Sequence, residues 1–371
     1  MLTLLIISSL ILLYLIGMTM MVVGWHRSEI SLKHTIGQKL SVVVATRNEE
    51  KHIGLLLQDL NQQTIDKGIF EVILVNDHSE DRTVEYIEKF CVDHPKMRIR
   101  LLNSIGEGKK EALRMGIENV SSMNIITTDA DCRVGENWLN GFQREFSDEK
   151  IKMICGPVSY YEKNSIFSRL QSLEFAGLIG LGASGLKLNF PNMCNGANLG
   201  FRKSSYEAVG GYKGNENIAS GDDEFLMHKI HKENPGSVKF LGDYESIVMT
   251  ESPTSMRDFV HQRKRWASKW DHYKLSGPRY MALFIFGFYL SMLVAMVLTL
   301  LGQYPWEILI IQVTLKVGVD LIFLAGIMHF LKKRLNPFIF LLMELLYPFY
   351  VIIFGVLSNV GTYEWKGRKF S

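Results

Sequence analysis

An α/β domain with a mainly parallel central sheet, tied to a bilayer on both sides in sequence, is the fold class this chain predicts. Three observations carry it. Strand-like apolar runs alternate with helix-like segments from about residue 40 to residue 120, apolar stretches stand at residues 1–24, 280–301 and 307–331, and residues 25–279 between them are polar and of mixed charge. With 371 residues and 47% hydrophobic content the chain can bury a full core, as one large domain or two smaller ones.

Residues 1–24 hold no charged side chain and are long enough for a helix to cross roughly 30 Å of hydrocarbon, which predicts an anchor. A cleaved signal peptide would show a basic start, a shorter apolar core and a small-residue cleavage site, and none of these precedes Trp25-His26-Arg27. Residues 280–301 and 307–331, parted by Gly302-Gln303-Tyr304-Pro305, predict a transmembrane hairpin. The stretch 338–357 carries Glu344 and the helix-bending Pro348, so crossing and lying in the interface both remain open for it. The expected division is an anchor over 1–24, one soluble domain over 25–279 and a C-terminal membrane domain over 280–371.

Basic residues flank the apolar segments at Arg27, Lys33, Arg279 and Lys332-Lys333-Arg334, and the 302–306 turn has none, which places the soluble domain in the cytoplasm by the positive-inside rule. Lys366, Arg368 and Lys369 put the C-terminus on the same side, which would make 338–357 interfacial or re-entrant. The formal net charge of +3 comes without a concentrated basic stripe, so no nucleic-acid partner is expected. Cys91, Cys132, Cys155 and Cys194 are widely spaced and read as free thiols of a reducing compartment.

Within the soluble domain Leu40–Ala45 is a β-branched run that ends in Thr46-Arg47-Asn48-Glu49-Glu50 and is followed by a helical pattern to about residue 63. The pattern recurs at Glu71–Val75, which runs into Asn76-Asp77-His78-Ser79-Glu80-Asp81. In parallel sheets ligands bind beyond the carboxyl ends of strands, so both polar loops are candidate nucleotide contacts. Gly106-Glu107-Gly108-Lys109-Lys110 then opens a helix, where Lys109 could meet a phosphate or the glycines could merely punctuate the chain.

Asn124–Thr128 is an apolar strand ending in Asp129-Ala130-Asp131. On an extended chain residues i and i+2 share a face, so Asp129 and Asp131 could converge on one hard divalent cation that bridges phosphate oxygens; a solvated acidic turn would have the same sequence. Gly221-Asp222-Asp223-Glu224 opens a second helix, where capping and the helix dipole alone favour acids. His261-Gln262-Arg263-Lys264-Arg265-Trp266 sets cations and an indole on a helix near the membrane, as an interfacial belt also would.

Taken in order, the Asn-Glu-Glu loop, Asn-Asp-His-Ser-Glu-Asp, Asp-Ala-Asp, Gly-Asp-Asp-Glu and Gln-Arg-Lys-Arg-Trp resemble the membrane-bound family-2 inverting glycosyltransferases, over about residues 38–270. The resemblance implies a nucleotide-diphosphosugar fold of the GT-A, Rossmann-like type. It implies that Asp77 with Thr46, Arg47, Asn48 and Glu49 binds the nucleoside, and that Asp129 and Asp131 hold the donor diphosphate through Mg²⁺ or Mn²⁺. Asp223 falls at the catalytic-base position with Asp222 beside it, and Gln262, Arg265 and Trp266 would close over the pyrophosphate and the acceptor. Asn195-Gly196-Ala197-Asn198 resembles the segment placed under the donor sugar, and Trp365-Lys366-Gly367-Arg368 resembles the ending of lipid-directed members such as ceramide glucosyltransferases and related bacterial enzymes.

The expectation is therefore a hexosyltransferase of a bacterial inner membrane that moves a sugar, from UDP in the first instance, to a lipid or lipid-linked acceptor. Residues 166–186, interrupted by glycines, read as too short and loose to cross and as an interfacial surface on the acceptor side. With the 262–270 segment and the 338–357 helix, the apolar 175–186 surface would form a lipid-facing rim. A processive polysaccharide synthase is the alternative, but it needs a polar channel, and Lys316 and Asp320, four residues apart, read as a self-satisfied pair. A non-catalytic nucleotide-binding regulator is the alternative of another class, disfavoured because every expected carboxylate is present.

Overall fold

The structure, a computed structural model, describes residues 1–27, 37–214, 221–267, 276–357, 363–365 and 368–370. Lys33, Ser220, residues 268–270 and the Lys366-Gly367 pair lie outside the described residues.

The α/β part is built from β1 (Leu40–Thr46), α2 (Ile53–Asn61), β2 (Phe70–Asn76), α3 (Thr83–Asp93), β3 (Ile99–Asn103), α4 (Lys109–Glu118) and β4 (Asn124–Thr127), preceded by α1 (Leu2–His26). It continues through α5 (Trp138–Glu145), β5 (Met153–Cys155), β6 (Val158–Tyr160), α6 (Ile166–Lys187), β7 (Leu199–Arg202), α7 (Lys203–Ala208), α8 (Asp222–Glu233), β8 (Val238–Phe240), β9 (Val248–Thr250) and α9 (Met256–Ala267). Helices α10 (Ser276–Leu300), α11 (Trp306–Phe330) and α12 (Pro337–Leu357) and the antiparallel pair β10 (Tyr363–Trp365) and β11 (Arg368–Phe370) complete it.

The central sheet has the order β3-β2-β1-β4-β7-β5-β8. The first four strands are parallel and β7 alone runs against its neighbours. Helices cover both faces, so the strands are apolar on both: Val42 and Val44 enter one core with Leu56, Leu57 and Phe142, while Val43, Ile73 and Val75 enter the other with Leu113 and Leu226. This is the GT-A, Rossmann-like arrangement expected from the sequence.

Four helices are long and apolar enough to cross a membrane: α1, residues 279–300 of α10, α11 and α12. Helix α6 is not among them, yet it is neither short nor loose, because its 22 residues are continuous and largely buried between the sheet and the apolar helices. The glycines permit close approach rather than disorder. A Cβ on Gly180 would lie 2.0 Å from Ile327 Cδ1 and 2.7 Å from its Cγ1. Gly180→Val should therefore lower stability by about 1–3 kcal/mol through overpacking, read as a fall in the thermal midpoint of purified protein.

The expected Lys316–Asp320 pair forms at 3.0 Å, but it is not isolated. Lys316 also pairs with Glu344 of α12, and the Tyr14 hydroxyl of α1 donates to both Asp320 oxygens at 2.9 and 3.0 Å. The reading of a lone, self-satisfied pair is corrected: charges on two helices and a phenol on a third meet because an unmatched charge among apolar helices is costly.

Both ends of α12 meet the α/β part. Just before it, Lys333 Nζ donates to Tyr160 O at 2.5 Å and to Ser172 Oγ at 2.7 Å. Near its end Phe354 packs edge-on against Phe259 of α9 with ring centroids 5.9 Å apart, and β10 lies beside α9. Burial lowers the Lys333 pKa to about 8 from the usual 10.5. Between those values the unfolded chain binds a proton that the folded chain does not, so stability rises with pH over that window. Lys333→Met should flatten the rise in a series of thermal melts across it.

Candidate active site

The carboxyl ends of β1, β2 and β4 lie side by side, and the loops leaving them form the site. Asp77 N–H donates to Thr46 O at 2.8 Å, continuing the β1–β2 ladder one residue past its end. Asp77 is 3% exposed, and its Oδ1 accepts from Gly108 N–H at 2.9 Å. Gly108 has φ of 100°, open to glycine and rarely to other residues, and this is what brings the start of α4 up to Asp77. Arg47 Nη1 donates to Asp77 O at 3.2 Å, and Glu49 N–H donates to Thr83 Oγ1 at 2.7 Å. Asn48, expected at the nucleotide, does not line the cavity. It is exposed outside the cavity, and its Oδ1 accepts from Glu80 N–H at 2.9 Å while its own N–H donates to Ser79 Oγ at 3.1 Å, so it clamps the two loops together.

Strand β4 stops at Thr127, and Cys132 N–H closes a turn onto Asp129 O at 3.1 Å. Asp129 and Asp131 thus approach the cavity from a turn and not along an extended chain, which corrects the geometric argument for their pairing. Lys109 Nζ is 2.5 Å from Asp129 Oδ1, and Lys110 Nζ is 3.0 Å from Asp222 Oδ1. Two consecutive lysines at the start of α4 therefore join the two acidic loops. Burial opposes the charge on Lys109, but Asp129, Asp222 and Asp223 outweigh it and raise its pKa. For Asp222 burial pushes the carboxyl up and Lys110 draws it part of the way back. Lys110 was not singled out in the sequence, although its place beside Lys109 at a helix start was a usable signal.

Asp223 sits in the first turn of α8, after Gly221 in the left-handed region at φ 88°. Its Oδ2 accepts from Gly196 N–H at 2.7 Å and its Oδ1 from Glu224 N–H at 2.9 Å, which fixes the plane of the carboxylate. Thr127 Oγ1 donates to Gly196 O at 3.0 Å, so one glycine residue, through its N–H and its C=O, ties the end of β4 to Asp223. Asn195 caps the short turn over 196–198 by accepting from Ala197 N–H at 3.0 Å. Asn198, expected on the sugar side, does not line the cavity. It is fully buried away from the cavity, with Oδ1 accepting from Trp138 Nε1 at 2.9 Å and Nδ2 donating to Pro157 O at 2.7 Å and Ser246 O at 2.8 Å.

One cavity of about 1040 Å³ takes in Thr46, Arg47, Glu49, Asp77, Lys109, Asp129, Asp131, Asn195, Gly196, Asp222, Asp223, Gln262, Arg265 and Trp266. It also runs between the apolar helices, where Met18, Met21, Phe284, Ile285, Phe323, Leu324, Val351 and Phe354 line it together with Tyr14, Asp320 and Glu344. The four cysteines are free, and Cys155 and Cys194 stand on the cavity wall.

Among the described residues no group of three or more His, Cys, Asp or Glu side chains could hold a metal alone. Mg²⁺ and Mn²⁺ bound with a diphosphate need only one or two protein carboxylates, the remaining oxygens coming from phosphate and water. Asp131 and Asp129, on one turn facing the cavity, fit that role, with Asp129 shared with Lys109.

Residues 41–210 match the Glycosyl transferase family 2 profile. A dolichyl-phosphate beta-glucosyltransferase of Mus musculus is 31% identical over 144 residues, 36% of this chain and 44% of that protein. A poly-beta-1,6-N-acetyl-D-glucosamine synthase of Staphylococcus aureus is 27% identical over 255 residues, 68% of this chain and 54% of that protein. The chain spans about half the length of these relatives. A mannosyltransferase of Pyrobaculum calidifontis, solved in complex with GDP-Man and Mn²⁺, superposes with a TM-score of 0.62 over 96% of each chain at 17% identity, which shows a shared fold.

Proposed function

We propose that this chain, the carrier of a Glycosyl transferase family 2 domain, is an inverting glycosyltransferase that moves a sugar from a nucleotide-diphosphate sugar to a lipid acceptor in the bilayer. UDP is the favoured nucleotide and Mg²⁺ or Mn²⁺ the favoured metal. The observation that carries the reading is one continuous cavity of about 1040 Å³ that holds Asp77, Asp129, Asp131, Asp222 and Asp223 at one end and is walled at the other by helices that are apolar apart from Tyr14, Asp320 and Glu344. An amphiphile fits such a space with its hydroxyl at one end and its chain at the other.

In an inverting transfer the acceptor oxygen attacks the anomeric carbon as the bond to the diphosphate breaks on the opposite face. The hydroxyl proton passes to Asp223, whose carboxylate is already oriented by the Gly196 and Glu224 peptides. The nucleoside diphosphate leaves with added negative charge, which Lys109 and Arg265 on the cavity wall stabilise. A bound divalent metal would supply further charge stabilisation from Asp131 and Asp129. Asp77 and the Thr46–Glu49 loop hold the nucleoside, and Gln262 and Trp266 close the acceptor side.

In this reading α1, α10 and α11 cross a bacterial inner membrane and the catalytic domain is cytoplasmic. Helix α12 lies in the interface, supported by the contacts that both its ends make with the soluble domain. A tag placed after Ser371 should then be protected from protease added outside intact cells, and cleavage there would make α12 a true span.

The second reading is a processive synthase. It is supported by the Tyr14, Asp320 and Glu344 side chains on the cavity wall and by the name of the staphylococcal relative. Purified protein should be incubated with a panel of nucleotide sugars and a total lipid extract, and the product weighed by mass spectrometry. A lipid bearing one or a few sugars is expected, whereas a long sugar ladder formed without lipid would establish the synthase.

A further inference from the structure

The geometry points to Arg263, through Glu174 of α6 and Tyr350 of α12, as the positioning residue that holds α9 over the cavity and sets the amide of Gln262 for transfer. The inference rests on the glycosyltransferase reading and adds to it a residue that the membrane-side helices control.

Arg263 is 3% exposed and Glu174 9%, so this is a buried ion pair. The pair is fully dressed. Arg263 Nη2 donates to Glu174 Oε2, Arg263 Nε donates to the Tyr350 hydroxyl at 3.1 Å, and that hydroxyl donates to Glu174 Oε1 at 2.9 Å. The guanidinium also stands 4.5 Å from the Phe259 ring centroid and 4.4 Å from that of Trp266, both on its own helix. Burial opposes its charge, and Glu174 and its other neighbours more than restore it.

A pair this deep costs much of its own attraction in lost hydration, so stability alone is a weak reason for it; a fixed register is a better one. What it fixes is functional. Arg263 Nη1 donates to Gln262 Oε1, and the Tyr160 hydroxyl donates to the same oxygen at 3.3 Å. Two donors hold Oε1, and Gln262 lines the cavity, so its NH₂ is the end of the amide left to serve as a donor for sugar or phosphate oxygens. Arg265 and Trp266 follow on the same helix, so a shift of α9 moves all three together. A misplacement of about 1 Å costs on the order of 100-fold in rate.

The test uses full-length protein in nanodiscs. Arg263→Met should lower kcat about 100-fold, change donor KM less than about threefold, and lower the thermal midpoint because Glu174 is left charged and buried. Combining Arg263→Met, Glu174→Leu and Tyr350→Phe removes every partner at once, so the midpoint should return toward wild type while kcat stays low. Recovery of both would make the network merely structural, and a rise in donor KM at unchanged kcat would make Arg263 a direct ligand contact; either overturns the inference. If the triple variant does not fold, Tyr350→Phe decides. It changes no charge, should lower kcat about three- to tenfold by loosening α9, and overturns the inference if kcat is unchanged. Hydrogen exchange of the 256–267 amides reads the latch without turnover and should quicken in Tyr350→Phe; unchanged exchange counts against it even if the assay finds no transfer. Absent transfer by wild type sinks the glycosyltransferase reading, whereas normal transfer by all variants sinks only the latch.

Discussion

Asp223→Asn should abolish sugar transfer while leaving donor affinity within about threefold of wild type, a loss of roughly 100- to 10,000-fold in kcat if the general base is removed. The amide is nearly isosteric. Its oxygen can still accept from the Gly196 or the Glu224 peptide, so the start of α8 and the 195–198 turn should keep their places. What it lacks is a carboxylate able to take the acceptor's proton as the new bond forms. Nucleotide-sugar titration beside single-turnover transfer separates the two effects. Loss of donor affinity equal to the loss of rate would move Asp223 from base to binding residue.

Asp131→Ala is expected to have the other large effect, a loss of transfer of about 100-fold or more from weakened charge stabilisation of the leaving diphosphate. Folding should be little affected. Asp131 stands on a turn facing the cavity, after β4 has ended, and the buried apolar residues Ile125 and Ile126 that anchor that strand are untouched. Chelator added to wild-type protein should reproduce the loss, and Mn²⁺ or Mg²⁺ should restore it in wild type but not in the variant. Undiminished transfer in both the variant and the chelated enzyme would remove the metal from the mechanism and leave Lys109 and Arg265 to meet the leaving charge.

The site was legible wherever chemistry is carried by residue type and position along the chain. Asp77, Lys109, Asp129, Asp131, Asp222 and Asp223 each follow a strand end or open a helix, and the parallel sheet gathers those ends at one edge. Neighbouring asparagines could not be told apart in the same way. Asn195 reaches the cavity, while Asn48 clamps two loops and Asn198 is consumed by Trp138, Pro157 and Ser246, because an amide serves a ligand or a buried peptide equally well. Arg263, read only as a cation in a basic run, is a buried partner of Glu174, 89 residues earlier in the chain.

By itself the sequence determined the alternation of strands and helices, the apolar helices that accompany the soluble domain, and the identities of the carboxylates. These depend on local periodicity, chain reach and side-chain chemistry. Only the tertiary structure decided which residues meet. It closed Asp129 and Asp131 into a turn and packed Gly180 of α6 against Ile327. It joined Lys316 and Asp320 to Tyr14 and Glu344, and it ran one cavity from Asp77, Asp129, Asp131, Asp222 and Asp223 into the apolar helices. All but the turn are settled by contacts between segments far apart in the chain, where burial presses charges and peptides to find partners, and no local pattern records which partner that is.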